Sequence, residues 1–218
     1  MIQGAIFDMD GVLLDNLEYH LEAFLVLGQE QGKELTREAI LRTFGRTNNE
    51  LLPILLDREL NSAELDALAI RKEELYRDLI APHLEESVVP GLIDLLKRLT
   101  DDSFRVAVAT SGPKENVDFV LNHLNLGGFF NGIVTGEQVR KGKPDPEAFL
   151  TAAERISLAP SECVVFEDSL SGVKAGLAAG CKCIALATTH PRDELLGLSP
   201  HRVIDDFRNL SLEQIRSL

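Results

Sequence analysis

Apolar and polar positions divide this chain into two patterns. A short apolar run, Gly4-Ala5-Ile6-Phe7, opens it and ends abruptly at Asp8-Met9-Asp10-Gly11. The period then changes from two to about three and a half. Leu17, Leu21, Phe24, Leu25 and Leu27 mark one face of a helix predicted from about Asn16 to Gln31, which Gly32 stops. Thr36 reads as the N-cap of a short helix through Leu41, Gly45 to Asn49 as a loop, and Glu50 to Leu56 as a further helix. Asn61 with Glu64 three residues on has the form of a capping box. It opens a helix through Leu65, Leu68, Leu75 and Leu79 that ends before Pro82.

Beyond this helical block, strands and helices alternate. Predicted strands are Phe104–Ala109, Gly132–Val134, Glu162–Phe166, Cys183–Ala187 and Val203-Ile204. Predicted helices start at Pro90-Gly91 and Pro113 and cover Glu147–Arg155 and Leu170–Ala179. Strands that are apolar throughout, rather than alternately, belong to a parallel sheet covered on both faces. The expected fold class is therefore α/β: a Rossmann-like parallel sheet with helices on both faces and a helical domain inserted after the first strand. The expected domains are 1–15 with 86–218, and 16–85.

Composition narrows the function classes. The 218 residues are 44% apolar and 26% charged, ordinary for a soluble globular protein. A net charge of −13 argues against a nucleic-acid or anionic-membrane surface, because either needs clustered Lys and Arg. It leaves room for a small phosphorylated ligand held by a few local cations. The N-terminus enters a strand at once, without a signal-peptide pattern, and no apolar run approaches a membrane span. Three cysteines, Cys163, Cys181 and Cys183, suit a reducing cytoplasm better than a disulfide framework. They read as buried structural thiols, and Cys163 lies too early in its strand to serve as a nucleophile.

The opening strand carries the first candidate chemistry. Side chains in extended chain repeat every two residues, so Asp8 and Asp10 can share a face. Two carboxylates that close repel unless a cation lies between them. On these residues alone, a Mg²⁺ site with a carboxylate nucleophile and a plain acidic turn stand about level. Gly11 falls at the fourth rather than the sixth position, which excludes an EF-hand. In open α/β sheets, ligands bind beyond the carboxyl ends of the strands. Thr110/Ser111 and Glu167/Asp168 fall at such ends too, which favours the site over the turn.

Taken in order, four stretches resemble the motifs of the haloacid dehalogenase superfamily of phosphoryl-transfer enzymes. They are Asp8-Met9-Asp10-Gly11-Val12, Val108-Ala109-Thr110, Lys143-Pro144, and Val165-Phe166-Glu167-Asp168-Ser169 with Gly172 and Gly176. The insert resembles the helical cap of the subgroup that contains β-phosphoglucomutase and many small-metabolite phosphatases. This resemblance implies that Asp8 is the nucleophile and forms an aspartyl-phosphate. It implies a Mg²⁺ cofactor held by Asp8, the backbone carbonyl of Asp10 and Asp168, with Glu167 a further candidate. Asp10 would act as general acid and then base, Thr110 would bond the transferring phosphoryl group, and Lys143 would balance charge. Members that cleave carbon–halogen or phosphonate bonds lack an Asp at the position of Asp10, so a phosphate ester or anhydride is implied. Each residue also has a plainer reading: Thr110 or Ser111 as a helix cap, Asp168 as a helix N-cap, and Lys143 as a solvated loop lysine.

The cap carries the expectations about substrate. His20 and Lys72 resemble a cap histidine and a cap lysine of the mutase group that face the sugar. Their alternatives are a packed helix histidine and a solvated helix lysine. The mutase holds its second phosphate with an arginine three positions after a loop glycine, and here Asn48 stands in that place. Arg46 is the nearby cation. Losing that grip favours hydrolysis over phosphate transfer between hydroxyls. The expectation is a cytoplasmic Mg²⁺-dependent phosphatase of a small phosphorylated metabolite, with Ser111, His20, Arg46, Asn48 and Lys72 binding substrate. A β-phosphoglucomutase-type mutase and a non-catalytic phospho-ligand sensor are the rivals. No nucleic acid, membrane or obligate protein partner is expected.

Overall fold

The computed structural model describes residues 1–43 and 48–218. The chain divides into two compact units, one of residues 1–15 and 85–218 and one of residues 16–84.

The larger unit is built on six parallel strands: β1 (Gly4–Phe7), β2 (Arg105–Ala109), β3 (Gly132–Val134), β4 (Cys163–Glu167), β5 (Lys182–Leu186) and β6 (Arg202–Ile204). Their order is β3-β2-β1-β4-β5-β6. The chain winds one way from β1 and then the other, so the switch in direction falls between β1 and β4. That is where an open α/β sheet leaves a crevice. Every residue of β1 and β4 is buried, whereas edge strand β6 is only half-buried, as helices on both faces require.

The two faces of the central strands pack differently. Phe7 and Phe166 are cross-strand partners, and their rings stack with centroids 4.5 Å apart. Phe207 meets both edge-on, at 6.0 and 5.5 Å, the offset and edge-to-face geometries that aromatic quadrupoles favour. The opposite face holds Ile6, Ala107, Val165, Phe149 and Ala175 in one core cluster. Alternation along the strand puts Asp8 on the face of Ile6, and Glu167 on that of Val165. The two carboxylates therefore leave the sheet on the same side.

The smaller unit is helical. It comprises α1 (Leu17–Glu30), α2 (Arg37–Thr43), α3 (Asn48–Leu56) and α4 (Ser62–Ile80). Thr36 caps α2, its hydroxyl accepting from the Ala39 N–H at 3.2 Å. The Asn61 box forms in both directions, with Glu64 N–H donating to Asn61 at 3.0 Å and Asn61 N–H to Glu64 at 3.2 Å. Asn48, expected in a loop, is instead the first residue of α3.

The remaining helices belong to the sheet unit: α5 (Leu92–Asp101), α6 (Lys114–His123), α7 (Glu147–Arg155), α8 (Leu170–Ala178), α9 (Arg192–Leu196) and α10 (Leu212–Arg216). Neither Ser111 nor Thr110 caps α6. Pro113 precedes that helix, with no side-chain cap. No helix among the described residues is long and apolar enough to cross a membrane.

Candidate active site

Asp8 follows β1 directly, and its backbone N–H donates to the Phe166 carbonyl at 3.0 Å. Its carboxylate therefore continues the sheet register toward the end of β4. One oxygen of each of Asp8, Glu167 and Asp168 falls within 4.8 Å of the others, and all three residues are buried. Lys143 enters from the loop before α7, through a cis peptide bond to Pro144. Its Nζ lies 2.7 Å from Asp8 Oδ1, 2.5 Å from Glu167 Oε1 and 3.3 Å from the Ala109 carbonyl. The ammonium also lies 4.8 Å from the Phe149 ring centroid, within cation–π range. At 5% side-chain exposure, Lys143 is a buried ion-pair partner rather than a solvated loop lysine.

The loop that carries Lys143 is tied down by α7. Glu147 Oε2 accepts the N–H groups of Arg140 and Lys141 at 3.1 and 3.0 Å. The Glu147 N–H in turn donates to Asp145 Oδ1 at 3.1 Å.

Glu167 has both carboxylate oxygens engaged. Oε1 takes Lys143, while Oε2 accepts the Ser169 N–H at 2.8 Å and the Ser169 hydroxyl at 2.9 Å. Ser169, not Asp168, is the N-cap of α8, accepting the Gly172 N–H at 3.0 Å. The capping alternative for Asp168 therefore falls away. Gly172 is explained by this closeness, since a Cβ there would overlap the Glu167 carboxylate. Gly11 is needed twice over. Its φ of +72° is a left-handed conformation that side chains resist, and a Cβ would overlap the Asp168 carboxylate.

Thr110 is buried at the end of β2, and its hydroxyl accepts the Gly112 N–H at 3.0 Å. A Cβ built at Gly112 would lie 3.3 Å from Thr110 Oγ1 and 3.7 Å from Asp10 Oδ2. Both polar groups thus border the same small space. Ser111 is exposed beside them.

Three carboxylates against one ammonium leave the cluster overcharged, and the titration behaviour follows. Burial pushes the Asp8 carboxyl up to about 7, with Lys143 opposing and Glu167 and Asp10 adding to the rise. Burial and then Glu167 and Asp8 raise Asp168 well above the usual carboxylate value, while a hydrogen bond from Thr189 opposes them. Burial alone would lower the Lys143 ammonium, but Asp8 and Glu167 outweigh it and hold it above the ordinary lysine value. An all-oxygen, acidic donor set with surplus negative charge fits a hard divalent cation of the Mg²⁺ or Ca²⁺ kind. The cysteines do none of this chemistry. All three are buried, and burial raises Cys163 and Cys181 to about 12.

In the helical unit, His20, Lys72 and Asn48 come together in a second polar cluster. Lys72 Nζ lies 3.1 Å from His20 Nδ1 and pairs with Glu73 Oε1 at 2.7 Å. Asn48 donates to that same Glu73 oxygen at 2.7 Å. The His20 ring stacks on Tyr76 at 3.8 Å, and Asn16 donates to the Tyr76 hydroxyl at 2.7 Å. Lys72 is 3% exposed, so it is not a solvated helix lysine. Arg46 lies outside the described residues. Sequence reasoning missed Glu73 and Tyr76, and also Thr188 and Thr189 after β5. The signal for that last pair was faint: two hydroxyl residues after a strand, a composition that turns share.

This geometry defines a class, and comparison with known proteins states which. A family model described as haloacid dehalogenase-like hydrolase matches residues 5–186. A phosphorylated carbohydrates phosphatase of Thermotoga maritima is 36% identical over 183 residues, covering 84% of each chain. The β-phosphoglucomutase of Bacillus subtilis is 30% identical over 217 residues, covering 97% of this chain and 93% of its own. Among solved structures, the β-phosphoglucomutase of Clostridium difficile superposes with a TM-score of 0.88 at 26% identity, covering 100% of this chain and 96% of that one. The chain belongs to the haloacid dehalogenase-like hydrolases. It is an enzyme of the phosphohydrolase kind.

Proposed function

We propose that this enzyme hydrolyses the phosphate monoester of a small phosphorylated sugar, with Asp8 as nucleophile and Mg²⁺ as cofactor. The observation that carries this reading is the bridge of Lys143 between Asp8 and Glu167 at the ends of adjacent strands, with Asp168 beside them. Asp8, Asp168, Glu167 and the backbone carbonyl of Asp10 would hold the cation. When bound, the cation supplies neutralisation at the Asp8 carboxylate and the phosphoryl oxygens.

The protein's own groups then divide the work. Asp8 attacks phosphorus and takes the phosphoryl group as an aspartyl-phosphate, splitting one slow displacement into two. The Asp10 carboxyl gives its proton to the departing sugar oxygen. It then takes a proton from the water that attacks the aspartyl-phosphate, releasing inorganic phosphate and restoring Asp8. Thr110 donates to a phosphoryl oxygen, and Lys143 holds Asp8 in place and offsets charge gained by the transferring group. Ser111, His20, Arg46, Asn48 and Lys72 are the residues proposed to bind substrate.

The likeness to β-phosphoglucomutases supports a second reading, transfer of phosphate between sugar hydroxyls. Asn48 argues for hydrolysis. It stands where the mutases hold a second phosphate with arginine, and here its amide is engaged by Glu73. Phosphate release from a panel of sugar phosphates, run beside conversion of β-glucose 1-phosphate to glucose 6-phosphate, tests both readings. Hydrolysis predicts phosphate release with no isomer formed. Rapid conversion without release would establish the mutase instead.

A further inference from the structure

The loop after β5 carries two threonines to which the mechanism gives no role, and both bear on the acidic cluster. The Thr188 hydroxyl donates to the Gly11 carbonyl at 2.6 Å. That bond fixes the left-handed turn at Gly11, directly after Asp10. Thr189 bonds the Asp168 carboxylate. Its Oγ1 lies 2.9 Å from where a Gly11 Cβ would stand, in the same small volume as Asp168 Oδ2. The consecutive hydroxyls thus grip two parts of the cluster that come from distant segments, the β1 turn and the end of β4. The loop is itself anchored, because the Ala187 N–H donates to the Ile204 carbonyl of β6 at 2.9 Å.

A carboxylate is a good cation ligand only when its orientation is set, and neighbouring hydrogen-bond donors usually set it. A hydroxyl suits this place because it orients the carboxylate without bringing the positive charge that would compete with a cation. Lys143 already supplies an ammonium at the cluster's other end, on Asp8 and Glu167.

We propose that Thr188 and Thr189 are positioning residues for divalent-cation binding: Thr189 orients the Asp168 carboxylate, and Thr188 fixes the Asp10–Gly11 turn. This rests on the reading of the acidic cluster as a cation site. It adds β5, through the loop that follows it, to the strands that build that site.

The test is Mg²⁺ titration of the purified enzyme without substrate, read by calorimetry and by the Mg²⁺-induced shift in melting temperature. Thr189→Val keeps the shape and removes the hydroxyl. It should weaken Mg²⁺ binding on the order of tenfold or more, with melting in EDTA close to wild type. Thr189→Ser restores the hydroxyl and should recover most of the affinity. Thr188→Val should weaken binding in the same direction, and reads the clamp independently should Thr189→Val fail to fold. At saturating Mg²⁺, kcat should recover in each variant, because neither hydroxyl is assigned to substrate. If wild type binds Mg²⁺ while the valine variants match it within twofold, the clamp is wrong and the cation site stands. If wild type binds no Mg²⁺, the cation site itself is wrong and the clamp falls with it.

Discussion

At the scale of single residues, one ammonium among buried carboxylates controls the site. Removing a partner from a buried ion pair leaves uncompensated charge, which costs about 3–5 kcal/mol. Lys143→Met should therefore lose roughly that much stability in EDTA at pH 8, measured by urea denaturation. The loss should shrink at pH 5, where Asp8 protonates. Asp8 gives a complementary sign. Its folded pKa, about 7 against an ordinary 3.8, lies above the unfolded value. The stability it allows is fully present below about pH 4 and falls as pH rises through 7. Asp8→Asn cannot ionise, so in EDTA its melting temperature should gain on wild type steadily from pH 4 to 8, and a constant gap would refute this. In the same variant, turnover should fall at least 10³-fold with Mg²⁺ present, since no carboxylate remains to attack. Asp8, Asp10 and Asp168 stood out in the sequence because charge at the end of an apolar strand is conspicuous. Thr188 and Thr189 did not, because a threonine pair after a strand looks like any turn. Glu73 was hidden in Arg71-Lys72-Glu73-Glu74, a run that reads as solvated surface until α4 turns the Lys72–Glu73 pair inward.

At the scale of elements, the start of α8 is pressed against β4, and Gly172 makes this possible. In an ordinary helix interior, Gly→Ala stabilises by about 1 kcal/mol. Gly172→Ala should do the reverse, because its Cβ would displace the Glu167 carboxylate. The expected result is a lower melting temperature and loss of most phosphatase activity, whereas a gain in stability would show that the helix simply shifts. Strand placement was legible because periodicity and apolar runs report burial, and burial is what the central strands share. Helix starts were legible where a side chain caps them, as at Thr36 and Asn61. Asn48 was misread because the polar run from Gly45 to Asn49 has the composition of a loop. The Ser169 cap was overshadowed by the acidic residues before it.

At the scale of the whole molecule, a net charge of −13 repels an anionic substrate at long range, while Lys143 acts only at contact. Salt screens the first more than the second. At saturating Mg²⁺, kcat/KM for a sugar phosphate should therefore rise modestly as NaCl goes from near zero to about 0.15 M, where the Debye length falls to about 8 Å. Stopped assays at fixed pH would show it, and a steady fall would point to local attraction dominating instead.

The order of the strands has a bearing on how the protein is made. β1 leaves a ribosome well before its sheet neighbours, which begin at Arg105 and Cys163. The strand that leads into Asp8 is thus made well before either partner, and its second edge stays unpaired until β4 is complete at Glu167. Long-range pairing of this kind slows folding, and an apolar strand waiting for partners is prone to association with other chains. The helices of residues 16–84 make local contacts and can form during that wait. Co-translational capture of nascent chains halted near residue 150 should find β1 still open to proteolysis, and protected once the chain has passed residue 167.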